Sequence, residues 1–366
     1  MTARRTDAAE PAVRLEDISK LFGSTVAVER LTLSIEPSTF VTLLGPSGCG
    51  KTTTLRMLAG LEEPTAGGIW IHGRDVRSFT PRDRPTSMVF QDYALFPHLT
   101  ARENVAFGLK VRGVPRVERD RRADEMLATL GLGGMGERMP RQLSGGQRQR
   151  VAMGRSLILE PRVLLLDEPL GALDAQVRRQ LQIELRQLQR RLGLTFVYVT
   201  HDQEEAMALS DRIVVMNKGR IIQDGGPEDV YRHPRSTFVA RFLGDCNLLE
   251  GRPKGSANGG LVIDLEGLGR VSVARPAEPF ATDGPLTVAL RPEDVRLTAA
   301  GGGRIDGRVL ERTFLGATTR YLIEASNLRI EAIVDQATVF EPGVTAGLAW
   351  DDANLTVVVV EAATPP

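Results

Sequence analysis

Eight consecutive residues, Gly45-Pro46-Ser47-Gly48-Cys49-Gly50-Lys51-Thr52, set the tightest limit on what this chain can fold into. They follow the apolar run Phe40-Val41-Thr42-Leu43-Leu44 and precede apolar residues at helical spacing, Leu55, Leu58, Ala59 and Leu61. The stretch therefore sits between a strand and a helix, where a phosphate-binding loop belongs. Glycines at 45, 48 and 50 let successive backbone N–H groups turn towards one anion, and the helix that follows adds the positive end of its dipole. Lys51 supplies a mobile point charge for the outer phosphates of a nucleotide, and the Thr52 hydroxyl is a hard oxygen ligand suited to Mg²⁺.

The chain of 366 residues has room for two domains. Its 46 basic and 46 acidic residues balance, so net charge gives no support to a nucleic-acid or anionic-membrane partner. Cys49 and Cys246 lack the number for a disulfide framework and the spacing for a metal site, which fits a reducing compartment. The start of the chain is polar, and no run approaches the ~18 apolar residues of a membrane span. A soluble polypeptide is expected, with any membrane role coming through a partner.

Val13 and Leu15, then Leu31, Leu33 and Ile35, alternate with polar residues and predict half-buried antiparallel strands. Phe22, in a loop between them, is either a base-stacking ring or a small core anchor. The strand Ser87-Met88-Val89-Phe90 delivers Gln91, whose neutral amide can hold a water or join a Mg²⁺ ligand sphere. Tyr93, Leu95 and Phe96 form either the core of a helical insert or a groove for a partner helix. Residues 101 to 130 are rich in charge and helix formers and read as a helical subdomain. Ser144-Gly145-Gly146-Gln147 opens a helix and is a second anion-binding end, because an ordinary cap explains Ser144 but not the two glycines.

The apolar run Val163-Leu164-Leu165-Leu166 predicts a central parallel strand ending in Asp167 and Glu168. Asp167 is placed to hold Mg²⁺ and Glu168 to polarise an attacking water. A further buried strand, 195 to 200, presents His201, which can donate to a terminal phosphate. Strands at 213–216 and 220–223 and helices at 227–231 and 237–243 are expected to close this domain. Beyond Gly244, short alternating runs punctuated by glycine, as at 261–263, 286–290, 308–314, 321–323, 328–334 and 355–360, predict a small all-β barrel acting as a regulatory or docking module.

Taken together these motifs resemble the ATP-binding subunit of ATP-binding-cassette transporters. GPSGCGKT (45–52), followed by Thr53, resembles the Walker A loop, Gln91 the Q-loop, LSGGQ (143–147) the signature, VLLLDE (163–168) Walker B, GALD (171–174) the D-loop and His201 the switch histidine. The resemblance implies a P-loop NTPase cassette of the α/β class, with a mixed sheet and a helical subdomain, over 13–244 after a flexible 1–12. Segments 243–251, 290–297 and 307–321 resemble the OB-like C-terminal (TOBE) domain of importer ATPases in the polyamine, iron, phosphonate and sugar group, assigned to 245–366, with the polyamine type most similar. It further implies that Phe22 stacks on adenine, that residues 45–53 hold ATP with Mg²⁺, and that Ser144, Gly145, Gly146, Gln147 and Asp174 complete the site of a second copy. The implied partners are that second copy, two membrane-spanning permease subunits and, indirectly, a solute-binding protein, at the cytoplasmic face of the inner membrane. A soluble cassette protein without a membrane partner is the competing class.

Overall fold

The apolar runs at 40–44, 163–167 and 195–200 each form a strand with every residue buried. The computed structural model describes residues 10–171, 175–257, 260–274, 284–335 and 339–360. The chain divides into two compact units, Met1–Pro227 and Glu228–Pro366. In chain order the first contains β1 (Val13–Phe22), β2 (Thr25–Ile35), β3 (Phe40–Leu44), α1 (Lys51–Ala59), β4 (Ala66–Ile71), β5 (Arg74–Asp75) and β6 (Thr86–Val89). There follow α2 (Ala101–Val111), α3 (Arg116–Thr129), α4 (Gly145–Leu157), β7 (Val163–Asp167), α5 (Ala175–Leu192), β8 (Thr195–Thr200), α6 (Gln203–Leu209), β9 (Arg212–Asn217) and β10 (Arg220–Gly225).

Strands in the order β10-β9-β3-β8-β7-β6 make a six-stranded sheet in which all pairings are parallel except that of β10 with β9. Strands covered on both faces need apolar side chains throughout, which is why these segments read as unbroken hydrophobic runs. On one face, Leu55, Met57 and Leu58 of α1 pack with Leu43, Leu165, Val197 and Val214 of this sheet and with the antiparallel sheet β2-β1-β4-β5. On the other, Phe40, Leu164, Leu166, Phe196 and Tyr198 meet Met153 and Leu157 of α4 and Leu181, Leu185 and Leu188 of α5. The helical subdomain has its own core, Val105, Leu109, Leu127 and Val151, contributed by α2, α3 and α4.

The register aligns the carboxyl ends of the parallel strands: Leu44 lies beside Thr200, Asp167 beside Val199 and Val89 beside Leu166. The loops that leave these ends carry the phosphate loop, Glu168, His201 and Gln91. One edge of an open α/β sheet, the usual ligand-binding edge, thus gathers residues scattered from 45 to 201.

The second unit comprises α7 (Pro227–Arg232), α8 (Thr237–Phe242) and strands β11 (Asn247–Ala257), β12 (Gly260–Leu265), β13 (Gly269–Ala274), β14 (Leu286–Leu290), β15 (Arg296–Ala299), β16 (Ile305–Phe314), β17 (Thr318–Ala325), β18 (Leu328–Asp335), β19 (Thr345–Ala349) and β20 (Thr356–Val358). They form two five-stranded sheets, β13-β12-β11-β14-β20 and β15-β19-β16-β17-β18. Both sheets contribute to one core around Ile263, Val288, Tyr321, Ile323 and Trp350.

Two expectations are revised here. The sequence places the helices at 227–243 in the first domain, yet all of their residues after Pro227 lie within the second compact unit. Arg291, only 5% exposed, accounts for this: its NH1 donates to the carbonyls of Ala240, Gly244 and Asp245, its NH2 to that of Tyr231, and its guanidinium lies 4.1 Å from the Tyr231 ring centre. The flexible segment 1–12 falls mostly outside the described residues, and its last member, Ala12, is buried with its carbonyl accepting from His72 N–H at 3.0 Å.

Candidate functional site

The phosphate loop leaves β3 and enters α1 through Gly50, whose φ of +100° is open to glycine. A Cβ on Gly45 would stand 2.3 Å from the Met216 carbonyl oxygen, and one on Gly50 2.4 Å from that of Ala27. The loop is thus pressed against its neighbours at both ends, while Ser47 and Gly48 at its tip are exposed and Pro46 half-buried. Lys51 is not the mobile charge expected. It is 5% exposed, and its ammonium donates to Gly45 O at 2.7 Å and Pro46 O at 2.9 Å and lies 3.8 Å from Cys49 Sγ. Cys49 is 3% exposed, and burial pushes its thiol above the ordinary range.

The Thr52 hydroxyl donates to Asp167 Oδ1 at 3.0 Å, placing two hard oxygens side by side, with Thr53 half-buried in the first turn behind them. Burial pushes the Asp167 carboxyl above the usual carboxylate range, against the opposing Thr52 hydrogen bond, with neighbouring Glu168 adding to the rise. Glu168 turns away from the strand with φ +42°, a left-handed backbone costing a non-glycine residue about 1–2 kcal/mol. Its N–H donates to Val199 O at 3.0 Å, and its carbonyl accepts from Gly171 N–H at 3.3 Å. In that position its two carboxylate oxygens are divided between the other two loops: Gln91 Nε2 donates to Oε2 at 3.3 Å, and His201 Nδ1 lies 3.1 Å from Oε1. The structure thus brings Gln91, Glu168 and His201 together.

Ser144 caps α4 through a reciprocal box, its hydroxyl accepting from Gln147 N–H at 3.3 Å and its own N–H donating to Gln147 Oε1 at 3.0 Å. Gly145 and Gly146 form the first turn, where a Cβ on Gly146 would approach Leu181 Cδ1 to 3.3 Å. Among the described residues, the hydrogen bonds of Ser144 remain within its own helix turn, apart from the Gln91–Glu168–His201 group. Asp174 lies outside the described residues. Phe22 ends β1 instead of occupying a loop and is 48% exposed, which removes the core-anchor alternative. Tyr93 resolves the other way: it is 7% exposed and packs with Leu164, Leu166 and Tyr198, while Phe96 sits 4.4 Å from Phe107 centre to centre.

The ABC transporter family model matches residues 28–171, and the TOBE domain model matches 288–358. The Fe(3+) ions import ATP-binding protein FbpC of Brucella abortus is 51% identical over 326 residues, covering 89% of this chain and 91% of that protein. The chain belongs to the ABC transporter family. Within it, this is an importer-type ATPase that carries a TOBE domain. The Spermidine/putrescine import ATP-binding protein PotA of Rubrobacter xylanophilus is 48% identical over 346 residues, covering 93% of this chain and 92% of the relative. A solved structure described as a dimeric post-hydrolysis state of the ATP-binding cassette MJ0796, bound to ADP and Pi, aligns with a TM-score of 0.52 and 33% identity over 59% of this chain and 98% of that one.

Two further residues of this ABC subunit escaped the reading of the sequence. Arg155, on α4, donates to the carbonyls of Tyr93 at 3.0 Å and Ala94 at 2.6 Å, both in left-handed conformations just after Gln91. Lys20 holds its ammonium 4.9 Å from the Phe22 ring centre while donating to Glu63 O at 2.8 Å. With 46 basic residues in the chain, neither stands out by composition; the left-handed turn that Arg155 clasps has no glycine to announce it.

Proposed function

We propose that this subunit binds ATP on residues 45–53, with Phe22 against the base, and hydrolyses it to drive a solute through two partner membrane permease subunits. The observation that carries this reading is the placement of Glu168 between Gln91 and His201, one residue from the Asp167–Thr52 pair. The loop amides and Lys51 bind the phosphates, the ammonium exchanging the Gly45 and Pro46 carbonyls for phosphate oxygens. Glu168 accepts the proton of the attacking water, and His201 donates to the terminal phosphate.

Among the described residues no three His, Cys, Asp or Glu side chains cluster as a self-sufficient metal cage. Mg²⁺ on a nucleotide needs none, because it takes most of its ligands from phosphates and water. The adjacent Thr52 hydroxyl and Asp167 carboxylate fit it, with the Gln91 amide as a further oxygen. When bound, the ion neutralises phosphate charge.

Ser144, exposed at the N-terminus of α4, supports a two-copy arrangement, in which Ser144, Gly145, Gly146 and Gln147 of one subunit, with Asp174, cap the ATP of the other. The subunit then works at the cytoplasmic face of the inner membrane with a solute-binding protein upstream. The polyamine reading rests on the likeness to PotA over 93% of the chain; ferric iron is favoured by the higher identity to FbpC. Co-purification with the permease subunits, followed by ATPase assays with spermidine, putrescine or ferric iron on the binding protein, tests the proposal. Stimulation by one solute class names the cargo. ATP turnover with no associated permease and no stimulation would favour a soluble cassette protein instead.

A further inference from the structure

The side chain of His201 is 58% exposed at the end of β8, so packing around the ring does not hold it towards Glu168. What is fixed is the backbone on either side. Thr200 and Asp202, its two neighbours, both belong to a hydrogen-bond cluster centred on Glu205. Glu205 Oε2 accepts from the Tyr198 hydroxyl at 2.7 Å and the Thr200 hydroxyl at 2.8 Å. The Thr200 oxygen in turn accepts from Asp202 N–H at 3.0 Å, and Asp202 Oδ1 accepts from Glu205 N–H at 3.0 Å, capping α6. Arg178 of α5 donates to Asp202 Oδ2 at 3.2 Å and places its Nε 3.8 Å from Glu205 Oε1.

The Glu205 side chain is 3% exposed and Tyr198 is fully buried, and burial pushes the Glu205 carboxyl above the usual range. A carboxylic acid in such a place is costly, and an apolar residue of similar volume would serve the core at least as well. Capping α6 does not require it, because Asp202 supplies the cap. What the Glu205 carboxylate does is hold the Thr200 hydroxyl from the first turn of α6, a second tie across His201 beside the Thr200–Asp202 hydrogen bond.

We propose that Glu205 is a positioning residue for ATP hydrolysis: by holding Thr200, and through it Asp202, it fixes the backbone between them and aims His201 Nδ1 at Glu168. The inference rests on the ATPase reading above. Arg178 extends the tie to α5, the helix that follows residues 172–174, so the His201 loop and that helix are held as one piece.

The test uses the full chain and measures steady-state and single-turnover ATP hydrolysis. Glu205→Gln lowers kcat about tenfold, within the hundredfold that a misplacement of ~1 Å can cost a reacting group, and leaves KM for ATP within about twofold. In a His201→Ala background the same change alters the single-turnover rate less than about twofold, because the group it positions is gone. Thr200→Val, which cuts the same tie, repeats both results and replaces Glu205→Gln if that variant does not fold. A direct readout is the NMR signal of the His201 ring, assigned among the four histidines by its loss in His201→Ala. It moves in Glu205→Gln while the other three stay. An unmoved His201 signal, or an equal loss of turnover with and without His201, overturns the proposal. A wild-type chain that does not hydrolyse ATP defeats the ATPase reading instead, and the ring signal still decides the positioning claim.

Discussion

Replacing Glu168 by Gln keeps the shape of the side chain and removes only its ability to take a proton. One oxygen survives as an acceptor for His201 or Gln91; the new amide N–H₂ faces the other partner. Where it meets Gln91 Nε2, 3.3 Å away in the native site, that amide turns over and offers its oxygen, so the geometry persists at a cost of about 1 kcal/mol or less. ATP affinity therefore stays within a few-fold. The chemical step loses general-base catalysis, worth about 10²–10⁴ in rate, or about 2.7–5.4 kcal/mol at 1.36 kcal/mol per factor of ten. Phosphate release under saturating ATP, paired with equilibrium binding of the nucleotide, separates the two effects. A fall in kcat of less than about tenfold, with binding intact, would refute the role given to Glu168.

Three further outcomes follow from the same geometry. Lys51→Ala weakens ATP binding about tenfold, toward the low end for a charged hydrogen bond because the ammonium already has carbonyl partners in the free chain; unchanged affinity by nucleotide titration would contradict its place in the cradle. Asp167→Asn acts in opposite directions on stability and function. Its carboxyl, raised by burial, holds a proton to higher pH when folded than when unfolded, so its contribution to stability falls as pH rises through that window and is least above it. The Asn variant therefore melts higher than wild type at neutral pH while losing Mg²⁺-dependent nucleotide affinity, and a lower Tm would refute the sign. Arg291→Ala removes the donor for four carbonyls and costs about 3 kcal/mol, read as a lower denaturation midpoint for the second unit with ATP binding unchanged.

The sequence carried the phosphate loop and the buried strands because each is contiguous: glycines beside a lysine, or four apolar residues in a row. Gln91 and His201 are different. Each is a single polar residue at a strand end, and only the parallel register of β6, β7 and β8 brings both to Glu168. Strands β11, β13, β15 and β19 fall outside the predicted runs; in β11 and β19 the glycines and proline, Gly251, Pro253 and Gly255 in one and Gly347 in the other, interrupt the alternation that marks a half-buried strand. The allegiance of α7 and α8 was also illegible. It depends on Arg291, which reaches back across the chain to Tyr231 and Ala240, and no local pattern around either helix records that contact. Lys51 misled in a simpler way, since its charge predicts a mobile group only if no carbonyl lies within reach.

If Ser144 of a second copy caps the ATP, as proposed, the Glu168→Gln variant, which binds nucleotide without turning it over, holds two chains together. Sedimentation of that variant with ATP and Mg²⁺ should give a species of twice 39.9 kDa, reverting to the single mass when nucleotide is withdrawn. A variant that binds ATP and still sediments as a single 39.9 kDa chain would rule out a site shared between two copies.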